Sequence, residues 1–546
     1  MMLLTSLLSA ASVVGGLTAP LSSVCSPSTT HTLLVGPSRT YATLESALAA
    51  ARALSFPRNV TISIARPQSM ATPTLRLAVG IVLGAQDSCL VLRGENDQQK
   101  QRSSSNSTDD ALDHIRLDSS VPRSLLELVS ANDTRIAPSA RGKVYRINLS
   151  SINATQHATR WPDTWTQGDP HTRNLGVFWN GRRLEYARFP RATVNATSLC
   201  PHVASGCENK NKGCVGGIAM AAALAGTSKD WTAGDHETPS VFQLYPETVP
   251  TFRRWRSALT RNALFLVGNW RVDFVFSGAR VAALHLDDAL NATVDFVAPI
   301  SSGIGWKYDK RRSGCGCEPF FALNAIELIE SPLDYALDFE EQAVYLYLPP
   351  SEVASGVLSV TDRGEPIVTI TNDAHDITLE GIHLGFSFGD GVAILEGATN
   401  IVVVASSIHD VGSDAVVLSA TGSTLRSSNI FRTGGGGVVV AANDDEAWQE
   451  LRSSNITIRN NHIYDIGYRG IAFGIGVSLC NGTTGALVTH NLIHHVSGKG
   501  IHGGHRTSSG PASTYLNQGQ FDNVVSYNEI FQVGLNGSGF GAIYTC

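Results

Sequence analysis

The chain holds 546 residues, 51 of them glycine, with charged residues at 16% and a formal net charge of −6. That mild acidity excludes a basic nucleic-acid-binding surface, and the apolar content excludes a disordered chain. The length is ample for a large core.

In chain order, residues 1–20 are apolar and small, ending in Leu17-Thr-Ala-Pro. The stretch reads as a secretory signal peptide, although no Lys or Arg opens it. No later apolar run reaches the roughly 18 residues of a spanning helix, so no membrane partner is expected after signal removal. Ten Asn-X-Ser/Thr sequons and nine cysteines fit a secreted, extracellular or cell-wall glycoprotein. Cys200, Cys207 and Cys214 share a loop-like stretch, and Cys315 and Cys317 flank one glycine. They read as disulfide partners whose pairing the spacing leaves open; a zinc site has no CxxC pair to support it.

Residues 33–36 form a short strand, and residues 41–52 space their apolar side chains as a helix does. Such a helix would cap an open end of stacked strands, which otherwise exposes unpaired edges. Asn59-Val-Thr-Ile-Ser-Ile and Leu90-Val-Leu-Arg-Gly follow as early strands, so 31–141 reads as the cap and first turns. Residues 142–349 read as an inserted mixed or antiparallel β region, because Val144-Tyr-Arg-Ile-Asn and Val344-Tyr-Leu-Tyr-Leu alternate and Asn180-Gly181 marks a hairpin.

Residues 350–546 repeat one phrase. Its six copies begin at Asp376, Asn400, Ser423, Asn455, Gly485 and Asn523, each followed by a second apolar beat such as Ile408-His-Asp-Val or Ile463-Tyr-Asp-Ile. A glycine-marked corner and a third beat close the unit, as in Gly391-Val-Ala-Ile and Gly437-Val-Val-Val. Three short strands per repeat, each repeat unable to bury its face alone, predict an all-β right-handed parallel β-helix. Asn429, Asn461, Asn491 and Asn528 are expected to stack at one corner. The last turn stops at Cys546 without a capping element, which predicts a continuing or truncated carboxyl end.

Several phrases resemble secreted β-helix proteins that include glycoside hydrolase family 141. They are the cap at 40–52, Phe178-Trp-Asn-Gly-Arg-Arg-Leu-Glu-Tyr-Ala-Arg-Phe-Pro, Val267-Gly-Asn-Trp-Arg-Val-Asp-Phe, Phe321-Ala-Leu-Asn, Leu346-Tyr-Leu-Pro-Pro, Gly500-Ile-His-Gly-Gly-His-Arg and Gly541-Ala-Ile-Tyr-Thr. The resemblance implies a carbohydrate-active, pectate-lyase-like fold and a polysaccharide substrate. Two departures stand out: His505 and Gly539 occupy places where relatives often carry aspartate.

Parallel strands put equivalent residues of successive turns roughly 4.8 Å apart. The position ahead of the third strand holds Asp390, Asp414, Gly436, Arg469, Lys499 and Phe540. Paired carboxylates suit glycoside hydrolysis, at roughly 5–5.5 Å for retention or 6.5–9.5 Å for inversion. Asp390 and Asp414 are therefore the catalytic candidates, with His502 and His505 as helpers, although aspartate before a small residue also simply suits a corner. Tyr468, Arg469, Lys499, Arg506 and Tyr544 are the substrate-binding candidates. His494 and His495 read as surface or turn residues.

The leading expectation is a monomeric glycoside hydrolase to which the sequence assigns no definite cofactor. A polysaccharide lyase led by Lys499 and Arg469 is the second reading, and a non-catalytic carbohydrate-binding β-helix the third. Calcium enters through the lyase reading and through Asp444-Asp445-Glu446, which also suits a solvated loop.

Overall fold

The computed structural model describes residues 25, 30–55, 58–67, 73–95, 113–152, 161–166, 175–191, 218, 220–225, 239–268, 270, 277–286, 292–300, 303–305, 320–371, 373–440, 453–467, 474–480, 483–504, 522–535 and 541–545. Three long parallel sheets run the length of the coil. Sheet 1 has nine strands, from Thr30–Val35 and Asn59–Ile64 to Val524–Ser526. Sheet 2 has eight, from Leu75–Arg76 to Glu529–Val533, and sheet 3 has eight, from Ile81–Leu83 to Ile543–Thr545. Each turn visits the sheets in that order, so every strand pairs with its counterpart one turn away.

The β-branched beats of the repeat face inward. Ile408, Ile430, Ile463 and Ile493 of sheet 2 meet Val403, Leu425, Ile458 and Val488 of sheet 1 and Val416, Val438, Val477 and Ile501 of sheet 3 in one continuous core. The predicted cap is the helix Leu44–Arg52. Thr43 Oγ1 accepts the Ser46 N–H and starts it, and its apolar face puts Leu44, Ala47, Leu48 and Ala51 over the end of that core. Arg52 of its last turn binds Asp87 at 2.8 Å. Cys25 and Cys89 form a disulfide.

The insertion leaves from sheet 2 and returns to sheet 3 within one turn. Its neck is the antiparallel pair Ser119–Val121 and Leu358–Thr361, so it spans 119–361 rather than 142–349. Leu358-Ser-Val-Thr alternates as a coil strand would, which hides the boundary in the sequence. Three further sheets of mixed and antiparallel pairing, with two apolar cores of their own, fill the insertion. Among the described residues no helix is long and apolar enough to cross a membrane.

The corner ladder differs from expectation at one rung. Asn491 Oδ1 accepts the Asn461 N–H at 3.0 Å, and Asn528 Oδ1 accepts the Asn491 N–H at 3.0 Å. The next rung is Ser428, whose N–H donates to Asn461 Oδ1 at 3.0 Å. Asn429 is instead the register partner of His462 and is exposed. Serine serves there because its short hydroxyl reaches the amide one turn back, at Ser406.

Candidate active site at the corner between sheets 2 and 3

The second beat of each turn carries two adjacent polar or aromatic positions between inward apolar ones. The fourth residue of the strand has a positive φ at Phe386, Asp410, Arg432, Asp465, His495 and Gln532. That local kink lets both the third and fourth side chains project from the coil, while the fifth turns back into the core.

At the upper turns this face is roofed by the insertion. Asn180 and Gly181 take φ of 52° and 77°, closing the tight hairpin that pairs Trp179 with Arg182. The hairpin lays Phe178 against Phe386, ring centroids 4.2 Å apart, and brings Arg183 to Asp410. A buried ion network results. His409 sits between Asp113, 2.8 Å from its Nε2, and Asp410, 2.9 Å from its Nδ1. Arg116 binds Asp113 at 2.7 Å and Arg432 binds Asp410 at 2.8 Å.

Burial by itself would push the His409 imidazole down, but Asp113 and Asp410 outweigh it and hold its pKa above the ordinary value. Burial likewise opposes ionisation of Asp410, yet Arg432, His409 and Arg183 keep its carboxyl far below the usual carboxylate range. This network locks the insertion to the coil.

Further along, the third position forms a column of rings. His409 stacks on Phe431 at 4.7 Å, Phe431 on Tyr464 at 4.9 Å, Tyr464 on His494 at 5.4 Å and His494 on Phe531 at 4.9 Å. His462 Nε2 lies 2.7 Å from His494 Nε2, and His494 Nδ1 lies 2.6 Å from His495 Nδ1. A neutral imidazole donates from one nitrogen and accepts at the other, so the trio is satisfied uncharged. Burial and the neighbouring His494 push His462 down to about 4. Burial and then His495 lower His494, against the pull of Asp465 and Glu529.

The corner beyond these strands holds the two acids singled out in the sequence, next to where the insertion re-enters. The Gly389 N–H donates to the Arg363 carbonyl at 3.1 Å. Asp390 and Asp414 lie on adjacent turns, and Asp390 Oδ1 accepts the Asp414 N–H at 3.0 Å. Asp414 Oδ1 in turn accepts the Gly436 N–H at 2.5 Å. A Cβ on Gly435 would stand 2.7 Å from that oxygen, so glycine keeps the carboxylate's place. Asp390 is half-buried and Asp414 is 3% exposed.

His502 occupies the outward register position with Ser478 and Tyr544 but is only 1% exposed. Tyr544 gathers two other candidates: Lys499 Nζ lies 3.9 Å over its ring and the His502 ring centroid 6.0 Å away. Tyr468, Arg469, His505, Arg506 and the 444–446 acids lie outside the described residues. Sequence reasoning passed over His409, Asp410, Arg432 and His462. The signal was there in the polar pair that interrupts each second beat, as in Ile408-His-Asp-Val.

Residues 355–521 match the family model of the right handed beta helix region. A solved structure named "Glycoside hydrolase" shares the fold with a TM-score of 0.57 over 87% of this chain and 79% of its own, at 14% identity. The fold is a right-handed parallel β-helix. A structure named "The complex structure of XylC with xylose" covers 92% of this chain and 62% of its own, with a TM-score of 0.35 and 9% identity. A periplasmic alginate epimerase covers 33% of this chain and 45% of its own, with a TM-score of 0.17 and 13% identity. No curated protein sequence matches.

Proposed function

We propose that this β-helix is a secreted carbohydrate-active enzyme, a glycoside hydrolase that cleaves a wall or matrix polysaccharide with Asp390 and Asp414. The observation that carries the reading is the carboxylate pair on adjacent turns of one corner, each held by an amide of the next turn. The two carboxyls share the parts of acid and of base or nucleophile between them. The glycoside hydrolase fold neighbour supports the substrate class, and with His505 and Gly539 standing where relatives often carry aspartate, the corner pair is the leading choice for the acids.

The test is product analysis of the secreted protein on neutral and acidic polysaccharides, with and without calcium. New reducing ends without an unsaturated chromophore are expected. Products carrying the chromophore would replace the hydrolase with a lyase led by Lys499 and Arg469, and glycan binding without any product would leave a binding module.

A further inference from the structure

Away from the corner, four donor side chains converge from three distant parts of the chain. Cys25 and Cys89 are disulfide-bonded, and His375 and Asp376 lie against them. One donor atom from each of the four lies within 4.8 Å of every other. Asp376 Oδ2 is 3.6 Å from Cys25 Sγ and 3.0 Å from His375 Nδ1. The set is braced from behind: Asn400 Nδ2 donates to the other Asp376 oxygen at 3.0 Å, and the His375 N–H donates to Ser88 Oγ at 3.1 Å. Cys89 is buried and the other three are half-buried. A shallow cavity of about 400 Å³, lined by Cys25, Cys89, Asp376, Asn59 and Thr61 among others, opens beside them.

A tetrahedral zinc ion, with bonds of roughly 2.0–2.3 Å, holds neighbouring donors about 3.3–3.8 Å apart. The oxygen–sulfur separation already falls in that range and the oxygen–nitrogen separation lies close below it. The two sulfurs, covalently joined, stand too close to be separate ligands. We propose that the reduced form of this pair is a Cys₂-His-Asp site for zinc or a similar divalent ion, so that one staple exists in two chemical forms. Reduction by a small thiol delivers two electrons and two protons to the S–S bond, leaving two cysteine thiols and the oxidised reductant. Binding the ion then releases those two protons, and the neutral imidazole and the Asp376 carboxylate complete the set. Asn400 becomes the outer partner that orients the aspartate. Either form ties the segment at Cys25 to the coil turn at Cys89, and the ionic form adds the next turn through His375 and Asp376.

The probe is cobalt(II), titrated into the full-length protein before and after reduction with a phosphine and removal of the reductant, with zinc as competitor. The reduced protein is expected to take up one more ion per chain than the C25S/C89S variant, with a thiolate-to-cobalt absorption that zinc abolishes. H375A and D376A keep both thiols, and each is expected to bind about tenfold more weakly or worse. Equal uptake by the oxidised protein or by C25S/C89S would overturn the proposal. So would H375A and D376A variants that bind as tightly as the parent, since the sulfurs alone would then account for the ion.

Discussion

His409 Nε2 lies 2.8 Å from Asp113 Oδ1, joining the last turn before the insertion to a turn that follows it. The other nitrogen of the same ring meets Asp410, which Arg183 of the insertion also binds. The insertion is therefore fastened to the coil by buried charge as well as by the contact between Phe178 and Phe386.

Removing one partner of such a network leaves the remaining buried charge less well balanced. Asp410→Ala removes the carboxylate shared by Arg183, Arg432 and His409 Nδ1, and should cost about 3–5 kcal/mol. Urea denaturation of the variant against the parent checks this. A loss below about 1 kcal/mol would show that water replaces the carboxylate and that the network is not sealed.

The raised pKa of His409 gives stability a pH signature. The folded state holds the proton more tightly than the unfolded chain, so this contribution is complete below the unfolded pKa of about 6.5. It declines as pH rises above that value, through the folded pKa. Melting temperatures of the parent should fall over that range relative to those of His409→Gln, which cannot take up the proton. Parallel profiles would contradict the assignment of a charged imidazole.

His462 has the opposite sign. Its folded pKa of about 4 lies below the unfolded value, so the unfolded chain binds the proton first as pH falls. Stability from this residue should be lost between about pH 6.5 and pH 4, then level off once both states are protonated. His462→Gln should flatten that acid limb. Direct titration by NMR checks the sign, and a His462 that titrates above pH 6.5 would refute it.

The corner ladder separates two asparagines that look alike in sequence. Asn491→Ala leaves the Asn461 amide and the Ile458 carbonyl without their partner, and should cost at least about 2 kcal/mol. Exposed Asn429→Ala should change stability by less than about 0.5 kcal/mol. Thermal melts of the two variants would distinguish them, and equal losses would place Asn429 in the ladder after all.

The coil was legible because its signal repeats: inward isoleucines and valines every turn, a glycine-marked corner and the helix with its Thr43 cap. The hairpin at Asn180-Gly181 was legible too, since few residues adopt two positive φ values in succession. Its destination was not. Nothing local in Arg183 says that it reaches Asp410 across the insertion, and nothing in Asp113 says that it will meet His409. The neck strand Leu358–Thr361 was read as coil because burial on both faces makes the two kinds of strand alike. Asp390 and Asp414 could be placed on adjacent turns from the repeat alone, but their amide partners came only with the register.

Those amide partners make the decisive measurement clean. Asparagine keeps the Oδ1 that accepts the next turn's N–H, so Asp390→Asn and Asp414→Asn should preserve the corner and remove only the ionisable group. Reducing-end release by each variant, on whichever polysaccharide the parent cleaves, is the test. A fall of at least about a hundredfold in kcat, with an unchanged melting temperature, is the predicted result. Folded variants that keep the parent's rate would contradict the corner pair and move the chemistry elsewhere on the coil.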